Sequence, residues 1–331
     1  ASDYQGKAHN ERLTQVAAKG FLGKVYLTMA GFPLNDTAKK AEAQQLFKEV
    51  IDYATARNKY WMADMDAWNQ SWLHENDNKY AIFEIQYIAE AGQGNPMVTL
   101  TVPSNPGTDW CGNNLVTGTH VYIERGLQRH FIAKDEITGE YIDKRADGTL
   151  NLKETVDEDG NIVTSEGKTF YTKYFESKVK RAKFGMSDMD ATIVERSYWP
   201  QNFQLLRIED IMLLYAECVG NTIEGRELVN KIRRRAGLAD LDINLSEEEF
   251  QKAVQDERRY ELAEEGVRWF DLVRRNEYVD TIKQMFINDD DTENGTYRQY
   301  ANRVNADMYL YPIPQSQIEV RKGLYTQNKG Y

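Results

Sequence analysis

The sequence predicts a mostly α-helical protein with long loops and a small extended region. Three observations lead there. Residues 13–30, 38–56, 202–220 and 224–236 repeat apolar side chains at the three-to-four spacing of amphipathic helices. The stretch Val254–Arg275, VQDERRYELAEEGVRWFDLVRR, has no proline and reads as one continuous helix. Between these groups, residues 92–167 are punctuated by proline, glycine and Asp-Gly pairs.

The first two helices carry a pattern of their own. Leu22-Gly23-x-x-Tyr26 followed by Ala43-x-x-x-Phe47 matches part of the tetratricopeptide repeat, in which small residues let two helices approach and aromatics fill the groove. Leu13–Ala30 and Ala38–Ala56 are therefore expected to pack antiparallel, joined by a turn at Phe32–Thr37. Residues 60–78 read as a loop rich in tryptophan, and AIFEIQYI (Ala81–Ile88) as a short extended segment. ITGEY, RADGTL and DEDGNI signal turns and exposed hairpins between Val121 and Gly167. DEDGN lacks the full spacing of a calcium loop and is read as a turn. Asn202–Gly220 and Glu224–Ala236 are expected as a helical pair stopped by Gly237. Ser246 and Glu249 form a capping-box sequence that opens the next helix. After Tyr278 the chain reads as loop.

On a helical projection of Val254–Arg275, Val254, Leu262, Trp269, Phe270, Leu272 and Val273 share one broad face, and Gly266 lies mid-helix, where it implies close approach of another backbone. Glu257, Glu261 and Glu265 admit two readings: a carboxylate cluster for acid–base or metal chemistry, or partners of Arg258, Arg259 and Arg268 in structural ion pairs. There is an arginine for nearly every acid and no histidine in the stretch, which favours the second.

Composition narrows the function. A net charge of −11 argues against a nucleic-acid partner, and no apolar run reaches the length of a membrane-spanning helix. No phosphate-binding loop, dinucleotide fingerprint, HExxH, CxxC or GxSxG motif occurs, and the four histidines are scattered, so neither cofactor nor metal is expected. Cys111 and Cys218 allow one disulfide, although Cys218 reads better as a buried small side chain. Aromatic residues in irregular segments stand out instead. An exposed Trp or Tyr stacks on the C–H face of a sugar while Asn, Asp or Arg bonds its hydroxyl rim. Trp110, Asn113, Asn114, Tyr122 and Arg125 are the candidate ligand-binding residues, with Trp68 and Trp72 next. Most of the other loop aromatics are assigned to packing.

Four segments also resemble a known family, in order. ERRYELAEEGVRWFDLVRR is similar to the ERR-x-EL-x-(F)EG-x-RW-(F)DL-x-R signature of SusD/RagB-type outer-membrane nutrient-binding lipoproteins. LLRIEDIMLLYAEC (Leu205–Cys218), LVNKIRRRAGL (Leu228–Leu238) and the terminal YPIPQSQIE…YTQNKGY resemble its further motifs. Glu264 stands where the family prefers an aromatic and Lys329 where it has proline. The resemblance implies a tetratricopeptide-like α-α superhelix (SusD-like) over a single domain, residues 1–331. Its parts would be an N-terminal helical-repeat part at 1–90, a loop-rich insertion at 91–170 and the signature part at 171–331. It implies non-enzymatic binding of an oligosaccharide on the outer face of the outer membrane, and a SusC-like TonB-dependent transporter as partner. The opening ASDYQGKAHNE is not a signal peptide, and the lipid-carrying cysteine of such lipoproteins is absent, so the chain is expected to be a fragment or processed form lacking the anchor and the first helical pairs. The alternatives are a glycoside-active enzyme using a carboxylate pair and a helical-repeat scaffold that binds only proteins.

Overall fold

Thr14 caps α1 (Gln15–Ala30), its hydroxyl accepting from the Ala17 amide at 3.1 Å. Helix α2 (Lys39–Arg57) ends at Asn58 in the left-handed conformation. Lys19 meets Glu49, Gly23 meets Phe47 and Tyr26 meets Lys39. Numbers rise on one helix as they fall on the other, so the pair is antiparallel, as the repeat pattern requires. Gly23 is the point of close approach, since a Cβ there would stand 2.5 Å from the Phe47 ring. This is the computed structural model of the chain, and it describes residues 13–73, 79–90, 92–102, 123–151, 154–156, 162–164, 169–176, 178–187, 199–288, 296–321 and 323–331.

The tryptophan-rich loop contains a short helix, α3 (Met65–Gln70), capped by Asp64. The alternating segment forms β1 (Ala81–Ile85), and α4 (Met97–Thr101) follows Pro96. Helix α5 (Arg125–Ile132) is capped by Glu124, whose carboxylate accepts from the amides of Gly126 and Leu127 at 2.8 and 2.9 Å. The ITGEY turn is present and closed by a bridge between Lys134 and Tyr141. RADGTL is not a hairpin turn: Ala146–Thr149 makes one helical turn, α6, which Asp143 starts by accepting from the Arg145 amide at 2.9 Å. Strands β2 (Leu150–Asn151), β3 (Glu154–Val156), β4 (Ile162–Thr164) and β5 (Phe170–Tyr171) pair as two antiparallel ribbons, β2 with β5 and β3 with β4. The second ribbon is the hairpin that DEDGNI signalled.

After α7 (Lys178–Lys183), the strand β6 (Phe203–Arg207) pairs antiparallel with β1. The helix expected from Asn202 therefore begins only at Ile208, as α8 (Ile208–Val219), because the preceding backbone groups are taken by the ribbon. Helix α9 (Ile223–Arg235) stops at Gly237, whose φ is +79°. Helix α10 (Glu247–Glu261) opens on the full capping box of Ser246 and Glu249. Helices α11 (Arg268–Arg274), α12 (Tyr278–Asn288), α13 (Thr296–Ala301) and α14 (Gln315–Val320) complete the chain, the last three replacing the expected loop.

The signature stretch departs most from expectation. It is two helices with a corner at residues 262–267, where Glu264 (φ +69°) and Gly266 (φ +74°) are both left-handed. Space around Gly266 is open, so this glycine supplies a conformation rather than a close approach. Glu264 and Arg268 are not one helical turn apart, and Phe270, placed by the projection on the buried face, is 65% exposed.

The main core joins α1, α2, α8, α9 and α10 through Phe47, Ile211, Leu213, Val229, Ile232, Phe250 and Val254. Helix α8 is buried nearly all round, including its acids Glu209, Asp210 and Glu217. Among the described residues no helix is long and apolar enough to cross a membrane.

Candidate functional site

The acids of α8 and α10 are buried because arginines from four other places in the chain reach them. Arg145 donates to Glu257 at 2.7 Å and Glu261 at 2.9 Å, and clasps Asp143 with Nε and Nη2 at 2.9 and 2.7 Å. Arg207 donates to Glu209, Glu261 and Glu265 at 2.9, 3.0 and 2.8 Å. Arg235 donates to Glu209 at 2.6 Å and lies 2.7 Å from Glu261, while the Lys173 ammonium donates to Glu265 at 2.8 Å. Burial alone would raise the Glu261 pKa, but Arg235, Arg207 and Arg145 outweigh it and hold the carboxyl well below the ordinary range. A second cluster lies alongside: Arg258 bridges Asp210 and Asp271 at 2.7 and 2.9 Å, and Arg274 pairs with Glu217. Glu257, Glu261 and Glu265 are thus ion-pair partners, as the arginine-for-acid ratio suggested. Their partners are chiefly Arg145, Arg207 and Arg235, not the neighbouring arginines of α10 and α11.

This core also settles Trp68 and Trp72. Both are fully buried, stacked edge to face on each other, with the Lys173 ammonium 5.6 and 5.0 Å from their ring centres. Trp68 Nε1 donates to Glu261 at 3.2 Å. Neither ring has a face left for a ligand. These two candidates are corrected to packing residues that roof the ion network. Trp199, likewise a loop aromatic, is buried and donates to the Tyr174 carbonyl at 2.9 Å. Arg125 is half-buried at the start of α5 and reaches Gln128 at 3.2 Å. Trp110, Asn113, Asn114 and Tyr122 lie outside the described residues, as does Cys111. Cys218 is a free thiol on α8, pushed up to about 12 by burial and the adjacent Glu217.

On the outer side of α10, the corner and α11 lies a cleft of about 1090 Å³, walled opposite by α12 and bordered by Glu124, Leu127 and Tyr171. Thr101 stands beside the Glu264 carboxyl, its hydroxyl donating to the Met97 carbonyl at 3.0 Å. Glu124, at the cap of α5, pairs with Arg259. Glu264 borders the cleft and accepts from the Lys173 amide at 3.0 Å, while its other oxygen is buried without a partner. Burial, partly offset by Lys173 and Thr101, pushes this carboxyl up to about 8, so it is protonated at neutral pH. Trp269, read from sequence as part of the apolar face of one long helix, and Arg268, read as an ion-pair partner, both open onto the cleft because the corner turns α11. Gly266 was the available signal: a glycine between two charged runs marks a turn as readily as a packing contact. Among the described residues no group of His, Cys, Asp and Glu stands ready to hold a metal ion.

The fold is mostly helical, with an ion-paired interior and an open lateral cleft. Residues 30–331 match the profile of the SusD family, and the chain belongs to it. It is 37% identical over 92 residues to the SusD-like protein P38 of Formosa agariphila, covering 24% of this chain and 18% of that protein. It is 29% identical over 139 residues to P25 of the same organism, covering 38% and 24%. Among solved structures, a SusD homolog of Bacteroides thetaiotaomicron superposes with a TM-score of 0.71 at 20% identity, over 99% of this chain and 66% of the other. Surface glycan-binding protein A of that organism, in complex with laminarihexaose, gives 0.66 at 18% identity over 98% and 66%. The chain thus spans at most two thirds of the length of these relatives, and the structural likeness shows the shared fold.

Proposed function

We propose that this protein binds oligosaccharide without transforming it, at the cell surface, for delivery to a SusC-like TonB-dependent transporter in the outer membrane. The observation that carries the reading is the lateral cleft of a SusD-family fold, bordered by Glu124, which pairs with Arg259. Trp110, with Asn113, Asn114, Tyr122 and Arg125, supplies the stacking ring and hydroxyl partners. The relatives support the ligand class, since proteins of this fold include surface glycan-binding proteins and a laminarin-binding SusD-like protein. The engagement of Glu257, Glu261 and Glu265 by buried cations supports a non-catalytic role, because a general acid or base must be free to exchange its proton. Membrane association is through a lipid anchor carried by the mature lipoprotein form, and the transporter partnership follows the family.

A glycan array followed by an affinity gel tests the binding. Trp110→Ala should weaken retention several-fold, from the loss of about 1 kcal/mol of ring stacking, and leave the melting temperature nearly unchanged. Hydrolysis of a reporter glycan by the wild-type chain would overturn the non-catalytic assignment. Failure to bind any glycan would favour a scaffold that binds only proteins.

A further inference from the structure

Among the described residues, one cation lining the cleft has no ion-pair partner. Lys252 pairs with Asp256 at 2.6 Å, Arg258 with Asp210 and Asp271, Arg259 with Glu124, and Arg275 with Glu217 at 3.1 Å. Arg268 lines the same cleft, is half-buried, and makes no hydrogen bond or ion pair among the described residues. The acids of the cleft are engaged elsewhere or exposed: Glu264 accepts from the Lys173 amide, Glu277 faces Arg275 at 3.3 Å, and Glu248 and Asp280 line the cleft in solvent without an ion pair to Arg268. Burial and the neighbouring Arg259 hold Arg268 below the ordinary arginine range, and Asp271, Asp256 and Glu277 do not make up the difference. A guanidinium in a half-desolvated cleft gains most from two oxygens of one anionic group, which its planar fork fits. The next residue, Trp269, is half-buried, stands edge-on to Tyr278 at 5.7 Å and also lines the cleft.

We propose that this cleft holds an oligosaccharide by one acidic substituent, a carboxylate or a sulfate ester, on the Arg268 guanidinium, with Trp269 against the adjoining sugar ring. The proposal rests on the glycan-binding reading above and narrows its ligand class. The chain's net charge of −11 sets the upper limit: one acidic group is accepted on a local cation, whereas a densely charged polymer is repelled.

The test is a calorimetric titration of wild type, Arg268→Gln and Trp110→Ala with three probes of equal length: a galacturonate trisaccharide, a monosulfated galactose trisaccharide and the same trisaccharide without charge. At least one acidic probe should bind wild type more tightly than the neutral one, and more weakly as salt is raised. Arg268→Gln should weaken that probe about tenfold or more, leave the neutral probe unchanged, and keep the wild-type melting temperature. Which acidic probe responds separates carboxylate from sulfate. Acidic binding that survives Arg268→Gln, or binding of the neutral probe alone, overturns the cleft assignment and leaves the glycan reading standing. Loss of all saccharide binding in Trp110→Ala but none in Arg268→Gln does the same. If wild type binds no saccharide, on the array or in titration, the underlying reading falls and this one with it.

Discussion

Arg258 and Glu264, six residues apart in the signature stretch, carry opposite electrostatic balances. Arg258 is buried between Asp210 and Asp271, so its removal leaves two carboxylates without their shared cation. Arg258→Ala should cost about 3–5 kcal/mol in denaturant unfolding, and an unchanged stability with lost glycan binding would assign the residue to the ligand instead. Glu264 has a poor supply of partners. The folded protein keeps its proton up to about 8, whereas the unfolded chain releases it near the ordinary 4.5. The folded state therefore binds the extra proton between these values, and stability falls as pH rises through that window and levels off above it. Glu264→Gln removes the titration. The variant should gain on wild type progressively from about pH 5 to about pH 9, and parallel stability profiles would exclude the buried, protonated carboxyl. An aromatic residue, which SusD-type sequences prefer at this point, would avoid that loss altogether.

At the scale of the elements, two glycines give the same expected loss on substitution by alanine, for different reasons. Gly23 lies in α1 against the buried Phe47 ring, so Gly23→Ala should destabilise by about 1–3 kcal/mol through overpacking despite alanine's better helix propensity. Gly266 has open space, and its conformation alone penalises a side chain. Gly266→Ala should cost about 1 kcal/mol, whereas a glycine inside a continuous helix would give a gain of that size. Thermal melts of the two variants read both losses, and a rise in melting temperature for either would overturn its explanation. These positions also show how far the sequence could be read. The α1–α2 pair, the DEDGNI hairpin, the α10 capping box and the stop at Gly237 depend on residues close in the chain, and all four were legible. Strand β6 was not, because what makes Phe203–Arg207 extended is β1, more than a hundred residues earlier. The corner at 262–267 was hidden by a good apolar period on both sides of it. Helices α12 to α14 have short or half-exposed apolar faces that periodicity does not separate from loop. Of the site, the ion pairing was legible as a ratio of arginines to acids but not in its partners. Trp68 and Trp72 were misassigned because a tryptophan roofing buried charges looks the same in sequence as one awaiting a sugar.

For the molecule as a whole, the ionic core should dominate acid unfolding. Asp143 and Asp210 are held well below the ordinary carboxylate range, against burial, by Arg145 and by Lys24 with Arg258; Glu217 is lowered to about 2 by Arg274. Their contribution is complete above the unfolded-state values of 3.8 and 4.5 and is lost as pH falls through the folded ones. Unfolding followed by circular dichroism should therefore set in as pH falls below about 4 and be one cooperative transition. Native signal that persists even below the folded values of these carboxyls would show that hydrophobic packing alone suffices. The same core has a bearing on the order in which the protein can be made. Arg145 waits for Glu261, 116 residues later, and Arg207 waits for it for 54. At roughly 5–20 residues per second of synthesis, the first guanidinium is produced on the order of ten seconds before its partner. Helices α1 and α2 can close on each other in that interval, but the central segments cannot bury their cations. The last third of the chain is thus the keystone of assembly, and any interruption of synthesis before Glu261 leaves a product with its positive charges still in water.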